Sequence, residues 1–149
     1  DHGSFGNPES MPQAIRQFCS ETGQPVPETP GETIRCALES LALKYQSVLG
    51  MLESLTGGAI EIVHVVGGGT QNKLLCQMTA DACQRPVIAG PMEATAIGNL
   101  LVQLIANGAV ASVAEAREIV SNSFTSDTYT PDNSYDWNEA AERFAGILG

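Results

Sequence analysis

The amino-acid sequence predicts an α/β protein in which a short parallel sheet is flanked by helices. A β-branched apolar run covers residues 60–66, which is typical of a central parallel strand. Three glycines follow this run directly, and a helical pattern begins immediately after them. A second short apolar run at 86–89 comes after that helix, so the two strands are expected to lie parallel.

The longest predicted helix begins at Thr29 or Pro30 and stops at 56–58. Its apolar residues alternate in spacing between four and three, which gives one continuous helical face. This face comprises Ile34, Leu38, Leu41, Tyr45, Val48, Leu52 and Leu55. The proline-rich segment 24–30 before it is predicted to be an extended connector.

Other helical patterns surround the two strands. Four of them run from Ser10 to about Gly23, from the glycines to about residue 83, from Glu93 to Asn107, and from about Ser134 to Leu148. A fifth begins with Ser112 as its N-cap. The helix at 93–107 is almost wholly apolar, which predicts that it is buried, and Gly98 within it predicts a close approach to a strand. The polar segment 124–133 is predicted to be a loop.

Two strands cannot form a stable open sheet alone, so this sheet is predicted to be truncated. The strands expected before Pro30 in such a fold are missing from the sequence, which opens with Asp1 rather than Met. We therefore expect the sequence to be a fragment of a longer protein.

The composition favours a protein that acts on small molecules. The sequence has 149 residues, 43% of them hydrophobic, and a formal net charge of −10. A strongly acidic chain is a poor partner for nucleic acids or anionic membranes, because both require a basic face. No stretch approaches the length of apolar sequence that a membrane span needs. We expect a soluble cytoplasmic protein with neither kind of partner.

The four cysteines do not predict a disulfide scaffold or a zinc site. Cys76 and Cys83 are seven residues apart on one predicted helix, about 10 Å, which is too far for a disulfide. Small buried apolar positions suit them better. Cys19 and Cys36 lie on different predicted helices, and the sequence leaves both the free and the bonded state open. No C-x-x-C motif occurs and the two histidines are far apart, so no metal ligand is predicted.

The three glycines Gly67, Gly68 and Gly69 are the strongest functional signal in the sequence. Glycine costs backbone entropy, so a run of it is typical of positive φ or of close approach by another group. The dinucleotide motif G-x-G-x-x-G does not match, because Asn72 occupies the position of its last glycine. The Walker motif G-x-x-x-x-G-K-[ST] does not match either, because the residue before Lys73 is Asn72 and not glycine. Two interpretations remain, a nucleotide or phosphate site at the end of the strand and a plain tight turn.

Six segments of the sequence carry a resemblance to known proteins. They are Asn-Pro-Glu-Ser-Met-Pro at 7–12, Pro-Val-Pro-Glu-Thr-Pro at 25–30, Ser-Leu-Ala-Leu-Lys-Tyr at 40–45, Val-Val-Gly-Gly-Gly-Thr-Gln-Asn at 65–72, Ala-Asp-Ala-Cys at 80–83, and the segment 87–99 with its Gly-Pro-x-Glu-Ala motif. These segments resemble the FGGY family of carbohydrate kinases, and among its branches the rhamnulokinases. The resemblance covers residues 7–148 and matches the C-terminal part of proteins about three times longer.

The resemblance implies a fold and an activity. FGGY kinases have two domains of the actin-like, ribonuclease-H-like fold, with ATP in the cleft between them. By this likeness, residues 1–149 form the C-terminal, ATP-side domain, without its first strands and without the N-terminal domain. The reaction implied is transfer of the γ-phosphate of Mg-ATP to a hydroxyl of L-rhamnulose.

The resemblance also assigns the candidate site. In the family the glycine-rich turn lies against the adenosine part of ATP, so Gly67, Gly68 and Gly69 would let the nucleotide approach the backbone. Gln71 and Asn72 would offer their side-chain amides to it. The family's catalytic aspartate, sugar-binding residues, phosphate loops and Mg ligands precede the residues matched here. No catalytic residue is therefore predicted within the chain, and the chain alone is expected to be inactive.

Other functions and other residues remain open at this stage. Another FGGY-type sugar kinase, an actin-like ATPase, and a non-catalytic nucleotide-binding or interaction module are the alternatives. Glu93 is interpreted as an acidic residue that satisfies the amides and dipole of a helix start. Asp81 is expected on a solvated helix face, and His64 is expected to be a core or edge histidine rather than a ligand.

Overall fold

The computed structural model describes residues 3–132 and 134–148, and these form two compact units. The described residues of Asp1–Gly58 and Asn133–Gly149 make up the first unit, and Ala59–Asp132 makes up the second. The first unit is helical, whereas the second contains the sheet and the glycine turn.

The first unit is built around the long helix α2, Pro30–Thr56. The helix begins with a capping box, because Thr29 Oγ1 accepts from the Glu32 N–H at 3.2 Å and the Glu32 carboxylate accepts from the Thr29 N–H at 3.0 Å. It ends at Gly57, which adopts the left-handed conformation with φ of 70°. The predicted start and end of this helix are confirmed.

Helices α1, Met11–Glu21, and α6, Trp137–Leu148, both pack against α2. Ala42 and Leu43 are the residues of α2 that become buried. The predicted apolar face of α2 is largely exposed, whereas an apolar face of a helix usually packs on a core. Its exposed members are Ile34, Leu41, Tyr45, Val48, Leu52 and Leu55.

The second unit contains a three-stranded sheet in the order β1-β2-β3. Strands β1, Val63–Val65, and β2, Val87–Ala89, pair in parallel, with Val63 opposite Val87. Strand β3, Asp127–Tyr129, adds to the other side of β2 in the antiparallel direction. The parallel pair confirms the predicted crossover, which runs through helix α3, Lys73–Cys83.

The core of this unit lies between α3 and the sheet. Its most buried members are small or β-branched, which lets the helix pack close to the strands: Cys76, Ala80, Val87 and Ala89. Val63, Val65 and Tyr129 pack against this cluster at its margin. Helices α4, Ala94–Ala106, and α5, Val113–Ser123, complete the unit.

Four sequence predictions are wrong in this unit. The strand predicted at 60–66 is shorter, because only three of its residues pair with β2. The predicted loop 124–133 contains β3, whose polar sequence gave no strand signal; Asn133 itself lies outside the described residues. Helix α4 has no buried residue, and Gly98 has no heavy atom within 4 Å of an added Cβ, so no strand approaches it.

None of the helices in the described ranges combines the length and the apolar character that crossing a lipid bilayer requires.

Candidate functional site

The glycine turn forms a short 3₁₀ helix, Gly67–Gln71, directly after β1. Gly67 has φ of 74°, a conformation that other residues adopt only with strain. Its N–H donates to the carbonyl of Pro91 at 3.2 Å, and the Thr70 hydroxyl donates to the Gly67 carbonyl at 2.8 Å. The turn is therefore a fixed structure, connected to the loop that follows β2.

The three glycines differ in what surrounds them. A Cβ built on Gly67 would lie 3.9 Å from the Met92 carbonyl oxygen, and one on Gly69 would lie 3.4 Å from Val65 Cγ1. A Cβ on Gly68 would have no heavy atom within 4 Å, and Gly68 does not have a left-handed φ. Neither packing nor backbone conformation explains this glycine, so the space over it is available to a ligand.

A second loop meets the turn at the carboxyl end of the sheet. The Gly90 N–H donates to the Val65 carbonyl at 2.9 Å, which joins the end of β2 to the end of β1. Gly90 has φ of 141°, and a Cβ there would lie 2.9 Å from Ser126 Oγ and 3.1 Å from the Thr125 carbonyl. The ends of β1 and β2 and the start of β3 therefore converge at one edge of the sheet.

The side-chain amides of Gln71 and Asn72 lie at this edge, and both have an internal partner. Gln71 Nε2 donates to the thioether sulfur of Met92 at 2.8 Å. Asn72 Oδ1 accepts from the Leu75 N–H at 3.0 Å and so caps α3. Each amide thus has one polar group engaged within the protein.

Sequence reasoning missed Met92, Thr125 and Ser126 as neighbours of the site. The Met92 contact spans 21 residues, and the two β3-side residues come from a segment predicted to be a loop. The one sequence signal was the Gly90-Pro91 pair at the end of the second strand, which is typical of a sharp change of chain direction.

Asp81 is not on a solvated helix face, which corrects that expectation. It is 8% exposed, and its carboxylate accepts from Gln77 Nε2 and from the Asp132 N–H, both at 2.7 Å. Gln77 also donates to the Thr130 carbonyl at 2.9 Å. Asp81 therefore fixes the segment after β3 to α3.

Glu93 and His64 make no contact that indicates a catalytic role. Glu93 is the N-cap of α4, but its side chain makes no capping hydrogen bond, so the predicted interaction with the helix amides is wrong. His64 lies on the exposed face of β1, opposite Ile88 in the register. Within the described residues, no group of three or more His, Cys, Asp or Glu side chains could hold a metal ion.

The cysteines are free thiols in the structure. Burial, with the neighbouring Cys19 thiol as a second cause, raises the pKa of Cys36 to about 11. Burial also raises the pKa of Cys83 to about 11, against a smaller opposing effect of Arg85. These thiols are poor nucleophiles at neutral pH, because the thiolate is the reactive form. The interpretation of Cys76 and Cys83 as small buried residues is confirmed.

The chain belongs to the FGGY family of carbohydrate kinases, since the model of that family's C-terminal domain matches residues 1–107. Among curated proteins it is 48% identical, over 99% of its length, to the rhamnulokinase of Bacteroides thetaiotaomicron. It is 46% identical over 96% of its length to the rhamnulokinase of Pectobacterium carotovorum, and 45% identical over 85% to that of Bacillus subtilis. The chain spans 26–30% of the length of these three relatives.

A solved structure shows the same fold. The crystal structure of xylulose kinase from Rhodospirillum rubrum matches 85% of the chain with a TM-score of 0.65 and 24% sequence identity, over 26% of that protein. The predicted fold class, an α/β structure with a small sheet and flanking helices, is thereby confirmed.

Proposed function

We propose that this chain is the ATP-side part of a sugar kinase that transfers the γ-phosphate of ATP to a hydroxyl of L-rhamnulose. One observation carries the choice of sugar: 48% identity, over 99% of the chain, to a rhamnulokinase. L-Rhamnulose and an N-terminal domain of the same protein are the partners that this proposal requires. ATP with Mg²⁺ is the proposed co-substrate, and the cytoplasm is the proposed location.

The glycine turn supports the proposal because it offers what a nucleotide needs at close range. The space over Gly68 is one that a Cβ would occupy, and Gln71 and Asn72 follow Gly68 at the end of the same turn. In α/β proteins, ligands bind beyond the carboxyl ends of parallel strands, which is where this turn lies. We assign Gly67, Gly68, Gly69, Gln71 and Asn72 to contact with the adenosine part of ATP.

The remaining parts of the reaction are assigned elsewhere. Mg²⁺ neutralises charge on the transferring phosphoryl group, and a general base accepts the proton of the attacking hydroxyl. In the part of the chain that the structure describes, no group of three or more His, Cys, Asp or Glu side chains could hold a metal ion. The role proposed for this chain is therefore to bind and orient the nucleotide.

The test is ADP release by the gene product that contains this chain. We expect ADP release with Mg-ATP and L-rhamnulose, and a much lower kcat/KM with D-xylulose as the matched ketose. The isolated 149-residue chain should release no ADP above background, since positioning and electrostatic stabilisation of the phosphoryl group both require the other residues.

Two results would overturn the proposal in different ways. A clear preference for a different sugar would place the protein with another FGGY-type kinase and remove L-rhamnulose. Nucleotide binding without turnover of any sugar would instead favour the non-catalytic binding module.

A further inference from the structure

We infer that Cys76 is a positioning residue for the nucleotide, because its thiol holds the Gly69 carbonyl from beneath and so fixes the glycine turn on the core. This inference rests on the proposed function, since it assumes that a nucleotide binds over the turn. Cys76 is only 1% exposed, so it acts through the turn and not by contact with the nucleotide.

The inner side of the turn lies on two side chains of the core. A Cβ built on Gly69 would lie 3.4 Å from Val65 Cγ1, and Cys76 Sγ lies 3.8 Å from the Gly69 carbonyl oxygen. Val65 packs against the buried cluster that contains Cys76. The position at Gly68 is open by contrast, with no heavy atom within 4 Å of an added Cβ. One side of the turn therefore rests on the core, and the other is available to a ligand.

The Cys76 thiol is suited to hold this carbonyl. The backbone beside it is fixed, because the Cys76 N–H donates to the Asn72 carbonyl at 3.0 Å in the first turn of α3. Burial, with Asp127 as the smaller cause, raises the pKa of Cys76. The thiol therefore keeps its proton at neutral pH and serves as a hydrogen-bond donor, although a weak one.

This contact differs from the other hydrogen bonds of the turn in what it connects. The Asn72 N–H donates to the Gly69 carbonyl at 3.1 Å, and the Thr70 hydroxyl donates to the Gly67 carbonyl at 2.8 Å. Both of these bonds stay within residues 67–72 and set the internal shape of the turn. The bond from Cys76 instead joins the turn to a buried side chain of α3, so it fixes where the turn lies relative to the core.

A second cysteine on α3 allows positioning to be distinguished from packing. Cys83 is also buried, at 6% exposed, and it lies seven residues further along the helix, about 10 Å away. At that distance its thiol cannot reach the turn. Loss of a buried thiol should lower stability at either position, whereas an effect on the nucleotide is expected only at Cys76.

The test is the kinetics of the gene product that contains this chain, with Mg-ATP and L-rhamnulose. Cys76→Ala should raise KM for ATP about threefold, as expected for the loss of one weak hydrogen bond. The value of kcat should not change, because a contact at the adenosine end is made equally in the ground state and the transition state. The dissociation constant of Mg-ADP, measured by calorimetry, should rise by the same factor.

Two further variants separate the thiol bond from the space that the side chain fills. Cys83→Ala is the matched control, and it should leave KM, kcat and the ADP dissociation constant unchanged at a temperature where thermal melts show each protein folded. Cys76→Val refills the space with apolar atoms but has no donor. It should therefore recover thermal stability relative to Cys76→Ala, while the raised KM and dissociation constant remain.

The outcomes distinguish this inference from the proposed function. Unchanged constants in Cys76→Ala, an equal rise in Cys83→Ala, or full recovery of both constants in Cys76→Val overturns the inference and leaves nucleotide binding at the turn intact. The calorimetry needs no sugar, so it tests Cys76 even if the substrate is not L-rhamnulose. An unmodified protein that binds no ADP overturns both.

Discussion

The Asp81 carboxylate accepts a hydrogen bond at 2.7 Å from the backbone N–H of Asp132, 51 residues further along the chain. This bond joins the middle of α3 to the segment that leaves β3. It is a buried, charge-assisted contact, and such contacts are among the stronger hydrogen bonds in proteins.

Replacement of Asp81 should therefore destabilise the sheet unit. Asp81→Ala leaves the Asp132 N–H and one Gln77 N–H without their acceptor, which costs about 1–3 kcal/mol in free energy of unfolding. Asp81→Asn keeps an acceptor oxygen and should lose less. Urea denaturation gives the free energies, and hydrogen exchange at the Asp132 amide should accelerate in Asp81→Ala. The exposed Glu118→Ala on α5 is the control, and equal stability of all variants would refute this role.

Substitutions at two glycines of the turn should affect stability and nucleotide binding differently. Gly68→Ala adds a Cβ to open space at an unstrained φ, so thermal stability should not fall. Affinity for Mg-ADP should decline about tenfold, because the methyl group occupies the space assigned to the nucleotide. Gly67→Ala should instead destabilise the fold by about 1–2 kcal/mol, because φ there is 74°.

Gly50→Ala is the control for these two variants. Gly50 lies inside α2 with open space around its Cβ position, so alanine should stabilise the helix by about 1 kcal/mol and leave ADP binding unchanged. Unaltered ADP affinity in Gly68→Ala would remove this residue from the nucleotide site.

The two serine N-caps should respond differently to alanine. Ser112 Oγ accepts from the Glu115 N–H at 3.2 Å, whereas the Ser10 side chain makes no capping hydrogen bond at the start of α1. Ser112→Ala should therefore cost about 1 kcal/mol in thermal stability, and Ser10→Ala clearly less. A similar loss from both would show that the hydroxyl bond is not the source of the effect.

Cys83 should make the chain less stable in alkaline solution. Burial raises the pKa of its thiol from an ordinary value of 9.0 to about 11. The unfolded state therefore loses its proton first, so the stability present below pH 9 declines as pH rises to about 11. The full effect is about 3 kcal/mol for two pKa units.

Urea midpoints at pH 8, 9, 10 and 11 will measure this decline. Cys83→Ala should have a shallower decline than the unmodified chain, because the two proteins differ only in this thiol. If the urea midpoints of the two proteins fall in parallel with pH, the buried Cys83 thiol is not a cause of the decline.

The sequence predicted the helix ends well, because they depend on neighbouring residues. Thr29 and Gly57 carry their signals locally, as an N-cap and as a left-handed C-cap. Strand β3 escaped prediction because Asp127–Tyr129 pairs with β2 through backbone groups, which leave no pattern in a polar sequence. The exposure of α4, with Leu100 at 57% and Val102 at 65%, was missed because apolar composition does not tell what packs on a helix.

For the candidate site, the position of the glycine turn could be predicted, and the contacts of its side chains could not. A strand that runs into three glycines indicates close approach at the end of β1, and the turn lies there. Which half of the Gln71 amide is engaged depends on Met92, which arrives from the next strand through a tertiary contact. The burial of Asp81 was not predicted for the same reason, since its partner Asp132 is 51 residues away in the sequence.

The antiparallel pairing of β3 with β2 has a consequence for synthesis of the chain. Val87 and its neighbours leave the ribosome with α3, but the strand that covers their second edge ends at Tyr129, about 40 residues later. Until then the nascent chain presents open backbone groups along the second edge of β2. Translational pauses between these points would prolong that exposure, so this interval is where chaperones would be most needed.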